Sequence, residues 1–355
     1  MWRKWRWLLP VVAFLAFFGG ARLDARLYRQ PIAQVTAVTA TKPKAQTDNL
    51  GNRDHLTTQR VAARLLNTAH RGRRLTFTNV YSYSGAMDSR LVVGSQCFVS
   101  TTAGGGYQLQ NRKRDGIVLA LLGFALTLLV LVMRRRFVMS ALSILANIAL
   151  LALALHVELS SRDVSAWWLF AGLAVLFTAV TTVFVVGFNR QAAVAGVTTI
   201  GATAAGVGLG YLIFTLTGYR NLHLESVKYV TQAPQLLFYV QIIIGSLGAV
   251  FDECTDITAA VSELEAGGAA RFRAGMAIGR NIMGPLIAVL FMIFIADTFT
   301  ESVLWLRNGN AISQTVIWVM GLGFAQALVS AFGIVLAVPL TSGLAAWAAP
   351  KEVGA

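Results

Sequence analysis

Long runs without charge, ended by short basic loops, constrain this chain more than any other feature. GIVLALLGFALTLLVLVM fills 116–133 and stops at Arg134-Arg135-Arg136. Runs of roughly 18 to 20 apolar residues are what a helix needs to cross a hydrocarbon core. Further spans are expected at about 137–157, 166–188, 192–217, from Pro234 onward, 275–297 and 312–340. With the N-terminal run that makes eight. Of the 355 residues, 56% are hydrophobic and 13% charged, about half the charged share of a soluble domain. The expected fold is an all-α polytopic membrane bundle of about eight transmembrane helices, with a small extracytoplasmic β-rich domain between the first and second spans.

The start, MWRKWRWLLPVVAFLAFFGG, is basic and Trp-rich before its apolar run. It fits a signal peptide cut near Gly19-Gly20-Ala21, or an uncleaved anchor with an interfacial belt of Trp2, Trp5 and Trp7. The anchor is the preferred reading for 1–20. Residues 21–115 form the one sizeable polar block. IAQVTAVTA (32–40), RRLTFTNVYSY (73–83) and RLVVGSQCFVS (90–100) have the β-branched, aromatic, partly alternating character of strands. TTAGGGYQLQ reads as a turn into another strand, 60–70 fits helix or strand, and 41–56 reads as a loose linker. The membrane domain then occupies 116–345, with a short tail at 346–355.

The net charge of +14 sits largely in 21–115 and in short loops. Short-loop Lys and Arg set membrane orientation, so no nucleic-acid partner is implied, only the lipid bilayer. An internal N-terminus places Arg134–Arg136, Arg190 and Arg271/Arg273 inside and 21–115 outside a membrane crossed many times. Cys97 and Cys254 then fall on opposite sides, as two unrelated thiols. Ala202, Gly206 and Gly210, and likewise Gly275 and Gly279, recur at helical spacing, which lets helix backbones approach closely.

GAVFDECTDITAAVSELE (248–265) sets acids against an apolar run. A helix over Gln235–Ala266, C-capped by Gly267-Gly268, would be roughly 48 Å long, so it must tilt, break or leave the membrane. At 100° per residue, Asp256 lies about 40° and Glu263 about 20° from Asp252, one face of three carboxylates, while Glu253 points elsewhere. Like charges at this spacing repel and call for water, a base or a cation. The next segment, FRAGMAIGRNIMGPL, offers Arg280 and Asn281, and Gly284-Pro285 is expected to bend or interrupt it. Polar residues beside a broken helix are how many transporters build their sites. The competing reading makes Asp252 the cytoplasmic boundary, with Arg280 snorkelling to headgroups or paired to Asp252. Asp297 and Glu301 read as interfacial.

No nucleophile–base arrangement, phosphate loop or cofactor motif appears, and neither His156/Glu158 nor His223/Glu225 has metal-site spacing. An enzyme is the least expected class, no cofactor is expected, and a metal is unspecified.

GSLGAVFDECTDITAAVSELE followed by FRAGMAIGRNIMGPL resembles the signature of the YibE/F-like bacterial membrane proteins. FNRQAAVAGVTTIGATAAG, VAARLLNTAHRGRRLTFTNVYSY, GSQCFVS and NRKRDGIVL fit the same family, from about Ile32 to Asp297. The resemblance implies a multi-span protein with an external β-rich domain, favours a strand at 60–70, and suggests a YibF-like membrane partner or a homo-oligomer. It brings no assigned chemistry. Gly248, Asp252 and Asp256 fall in the first motif, and Gly279, Arg280 and Gly284 in the second. Asn281 stands where an acid is expected, Pro285-Leu286-Ile287 replaces a polar stretch, and Glu253 is an added acid. Together these readings favour a transporter or permease, cation- or proton-coupled, using Asp252, Asp256 and Arg280 with Asn281 and Glu263. The alternative is a non-transporting complex component that engages partners through its external domain.

Overall fold

A computed structural model of the chain describes residues 6–47, 51, 53–85, 88–102, 105–133, 135–160, 165–220, 222–226 and 234–348. Trp2, Trp5, Arg134 and the tail beyond 348 lie outside the described residues. The chain divides into two compact units, Met1–Phe137 and Val138–Ala355.

In the first unit, helix α1 (Leu9–Leu23) has 3-10 turns at Arg6–Leu8 and Asp24–Leu27. The apolar helix therefore runs past 20, because Gly19 and Gly20 meet no crowding and a helix in apolar surroundings tolerates them. It packs on α2 (Asp115–Met133), where Gly123 leaves room for the Phe17 ring: an added Cβ would lie 2.5 Å from it.

Between the two helices, six antiparallel strands form one sheet: β1 (Ile32–Ala40), β2 (Lys44–Thr47), β3 (Arg53–Leu65), β4 (Arg74–Ser82), β5 (Gln96–Thr101) and β6 (Tyr107–Arg112). The order β2-β3-β1-β5-β6, with β4 also on β3, curls the sheet into a half-barrel. The inward residues include Val35, Val61, Leu65, Phe77, Cys97 and Val99. Residues 60–65 are strand, pairing through Val61↔Phe77 and Ala63↔Leu75. The loose linker expected at 41–56 is largely a ladder, Lys44↔Leu56 to Thr47↔Arg53. Its side chains are exposed, so backbone pairing rather than an apolar pattern holds it. The strand expected from 90 begins only at Gln96, after a turn with Gly94 at φ 86°.

Lys113 fixes the sheet to the helices. Its side chain is 2% exposed, its Nζ lies 2.7 Å from Asp24 and 2.8 Å from Asp115, and it donates to the Ala21 carbonyl. Tyr28 donates to Asp115 at 2.5 Å, and Gln96 donates to the Arg22 carbonyl.

The second unit contains α3 (Arg135–Ser160), which begins just before the boundary, then α4 (Ala166–Val185), α5 (Arg190–Leu216), α6 (Pro234–Ser262) and α7 (Gly268–Arg307). The last helix, α8 (Ile312–Ala348), opens with a helical turn and a π-helical turn at Val316–Met320 before its α segment. Asn189 caps α5 by accepting from the Ala192 amide. Helix α8 packs closely on α5, α6 and α7. Gly206 abuts the Gly333 backbone, and Gly210 accommodates Val329.

Eight helices, one of them α1 with its flanking turns, are long and apolar enough to cross a membrane. They leave large apolar side chains such as Leu145, Met292 and Phe299 more than half exposed, as lipid contact requires and water does not.

Two boundaries differ from the sequence reading. Helix α6 stops at Ser262, and Gly267 precedes α7 as its N-cap instead of closing α6. Glu263 therefore lies in the connecting turn, outside the helix. Gly284-Pro285 does not interrupt α7, which runs unbroken for 40 residues. Pro285 withholds one amide from the Asn281 carbonyl, a loss that such helices tolerate.

Candidate functional site

Glycines set the register of α6 against α7. A Cβ on Gly275 would lie 3.1 Å from Val261, and one on Gly279 3.0 Å from Ile257. The same glycines meet α8 at Ser342 and Val338. The antiparallel register thus sets Asp256 level with Arg280, and Asp252 level with Gly284-Pro285. Asp252, Asp256, Glu263, Arg280, Asn281, Gly284 and Pro285 are all exposed. Among the described residues no ion pair joins the acids to Arg280, so level residues are not brought into contact. Asp252 and Asp256 lie on the outward side of α6.

The inward side carries Glu253 and Cys254, both 0% exposed. Thr341 donates to the Cys254 Sγ at 3.2 Å, and Thr198 and Thr199 also approach that thiol. Those two threonines bond back to the carbonyls of Val194 and Ala195, the usual outlet for a hydroxyl inside a helix. Glu253 has no such outlet, because among the described residues neither carboxylate oxygen has a hydrogen-bond partner. Its neighbour one turn back, Val250, touches Gly333 of α8, and Ile257 one turn on touches Gly279 of α7. Glu253 therefore shares the face of α6 that α7 and α8 cover.

Toward the other end of these helices a cleft of about 620 Å³ opens between α6, α7 and α8. Gln241, Asp297, Glu301, Gln326, Ser330 and Trp318 supply its polar groups. Asp297 and Glu301, read from sequence as interfacial, line it from one face of α7. Gln326 reaches across from α8 toward the Gln241 carbonyl at 3.4 Å. Trp318 lies in the π-helical turn, a feature frequent at functional sites. His223 stacks on Trp318 with ring centroids 3.9 Å apart and bonds Glu225 at 2.9 Å. That hydrogen bond holds the Glu225 carboxyl below the usual range. Sequence spacing could not have found this group, because its members lie up to 107 residues apart, from His223 to Ser330. Apolar side chains separate cleft from carboxyl: Ala249, Val250, Leu286, Ile287 and Ile334. Among the described residues no three His, Cys, Asp or Glu side chains gather as a metal site. A second cavity of about 600 Å³, between α4, α5 and α6, is almost wholly apolar.

Among the described residues, eight long apolar helices and an N-terminal β half-barrel give the architecture of a membrane-type protein. The chain belongs to the YibE/F family: residues 121–351 match the YibE/F-like protein family and residues 26–112 the YibE/F family N-terminal domain. No match was found among curated proteins or among solved structures.

Proposed function

We propose that this YibE/F-family chain is a transporter, driven by a cation or proton, whose path runs between α6, α7 and α8. The observation that carries this reading is the polar cleft between those helices, in line with a buried, unpartnered carboxyl on α6. Soluble-type packing has no use for either. A cleft lined by Asp297 and Glu301 concentrates cations, and a buried acid in a membrane bundle is costly unless it serves a pathway. In this reading Asp252, Asp256 and Glu263, with Arg280 and Asn281, stand exposed toward the opposite end, outside the path itself. The proposed setting is the bacterial cell membrane, N-terminus inside and 21–115 outside.

The test uses the full chain in proteoliposomes on a sensor membrane, with jumps of Na⁺, K⁺, Mg²⁺ or a polyamine. A transient current above that of empty liposomes, reduced by Asp297→Asn with Glu301→Gln, is expected. Silence toward every cation, together with silence under a proton gradient, contradicts the proposal.

One observation favours a second reading, assembly with a YibF-like chain or another copy. Asp252 and Asp256 stand exposed on one helix at the level of exposed Arg280 on the next, a charge pattern that a partner helix could complete. A sharp monomer by mass photometry in native nanodiscs, with nothing co-purifying, speaks against it.

A further inference from the structure

We infer that Glu253 is a proton-carrying residue, and that the ion driving the proposed path is H⁺. This inference rests on the transport reading above and specifies its coupling. The Glu253 side chain is fully buried, both oxygens lack partners among the described residues, and apolar side chains separate it from the cleft. A bare carboxylate in such surroundings costs several kcal/mol, so something must neutralise it.

The candidates are few. On α6 itself the titratable neighbours are Asp252, Cys254 and Asp256, none of them a cation. From α7, Arg280 is nearest along the register, but it is exposed and not ion-paired with Glu253. The α segment of α8 (Gly321–Ala348), α4 (Ala166–Val185) and the stretch 191–210 of α5 contain no titratable side chain at all. A divalent cation would want several hard oxygen ligands, and among the described residues no three His, Cys, Asp or Glu side chains gather there. A single proton on one carboxylate oxygen removes the charge with no further ligand.

Position supports carriage rather than mere burial. Glu253 lies eight residues from Gly245, a lining residue of the cleft, and nine from Ser262, the end of α6. At 1.5 Å per residue these are about 12 Å and about 14 Å, so the carboxyl sits midway between the cleft and the far end. In the step, a hydronium that enters from the cleft side reaches hydrogen-bond distance of Glu253; one of its O–H bonds breaks, leaving water, as an O–H bond forms on the carboxylate. That bond breaks when the carboxyl passes the proton to a water that enters from the Ser262 end, which leaves as hydronium. Nothing is oxidised or reduced.

Dicyclohexylcarbodiimide, which reacts with protonated carboxyls in apolar surroundings, tests the state of the wild-type chain in liposomes. Peptide mass spectrometry is expected to find the adduct on Glu253 and not on Asp252 or Asp256, with labelling falling as pH rises. No adduct on Glu253 at any pH, or equal labelling of all three acids, overturns the inference. The transport arm uses liposomes loaded with a pH-sensitive dye under a potassium diffusion potential. Glu253→Gln should cut proton entry about 100-fold, with Glu253→Asp keeping a measurable fraction. Proton entry unchanged in Glu253→Gln, or absent from the wild type, refutes proton carriage. Cation currents that persist in that case leave the transport reading standing.

Discussion

Replacing Gly206 with alanine should loosen the α5–α8 contact that supports the whole site. A Cβ there would lie 2.7 Å from the Gly333 amide nitrogen, 2.8 Å from its Cα and 3.4 Å from the Val329 carbonyl oxygen. Favourable carbon contacts sit near 3.5–4.0 Å, so the overlap is about 0.7 Å or more. The opposing atoms are backbone, so no rotamer change relieves it and the helices must part. Overpacking of this kind costs about 1–3 kcal/mol, and alanine's better helix propensity returns roughly 0.5–1 kcal/mol. The net loss should be about 0–2.5 kcal/mol. Gly201, five residues earlier on the same helix, has nothing within 4 Å of its Cβ position. Gly201→Ala should therefore gain the propensity term alone. Thermal unfolding in one detergent, followed by tryptophan fluorescence, compares the two directly. If Gly206→Ala melts at or above Gly201→Ala, the close packing argued for α5 and α8 is wrong.

Other expectations concern the mount of the β domain. Lys113→Met leaves Asp24 and Asp115 facing each other without their shared cation. Because those acids keep some exposure, the loss should be about 2–4 kcal/mol, below the full cost of a broken buried pair. Earlier proteolysis between the helices and the sheet would register it, and wild-type resistance would refute it. Tyr28 has its phenol pushed up to about 12, first by the hydrogen bond to Asp115, then by burial and the nearby acids. A raised value favours the neutral form, so this contact stabilises fully below pH 10 and is lost as pH rises through about 12. The phenolate absorbance of wild type minus Tyr28→Phe should appear only near that upper limit. Ionisation alongside ordinary tyrosines would contradict the contact.

Much of the fold could be read from residue order because its signals are local. Charge-free runs such as 116–133 mark spans by length alone, and β-branched runs such as 32–40 and 74–82 mark strands. What the residue order could not give was direction. Helix α6 is apolar on nearly every side, so counting 100° per residue relates Asp252 to Asp256 without saying whether their face or that of Glu253 turns inward. Glycine contacts decide it, Gly275 and Gly279 from α7 and Gly333 from α8, and these are tertiary facts. The misplaced helix end has a similar cause. Gly267-Gly268 fits a stop or a start equally well until the turn at Glu263 is seen. Pro285 misleads because the rule that proline breaks helices belongs to water, where a freed carbonyl is quickly solvated. Asp297 and Glu301 gain meaning only opposite Gln241 and Gln326.

The central claim is that the working face of α6 is that of Glu253 and Cys254, with Asp252 and Asp256 turned outward. Single cysteines placed along 249–263 in a Cys254→Ser chain, labelled in liposomes by a small hydrophilic maleimide, test it most directly. Cys97 will not interfere, since burial pushes its thiol up to about 12. The account predicts labelling at 252, 256 and 263, with protection at 253 and 257. Ready labelling at 253 with protection at 252 and 256 would contradict it and return the site to the face first suggested by the acids.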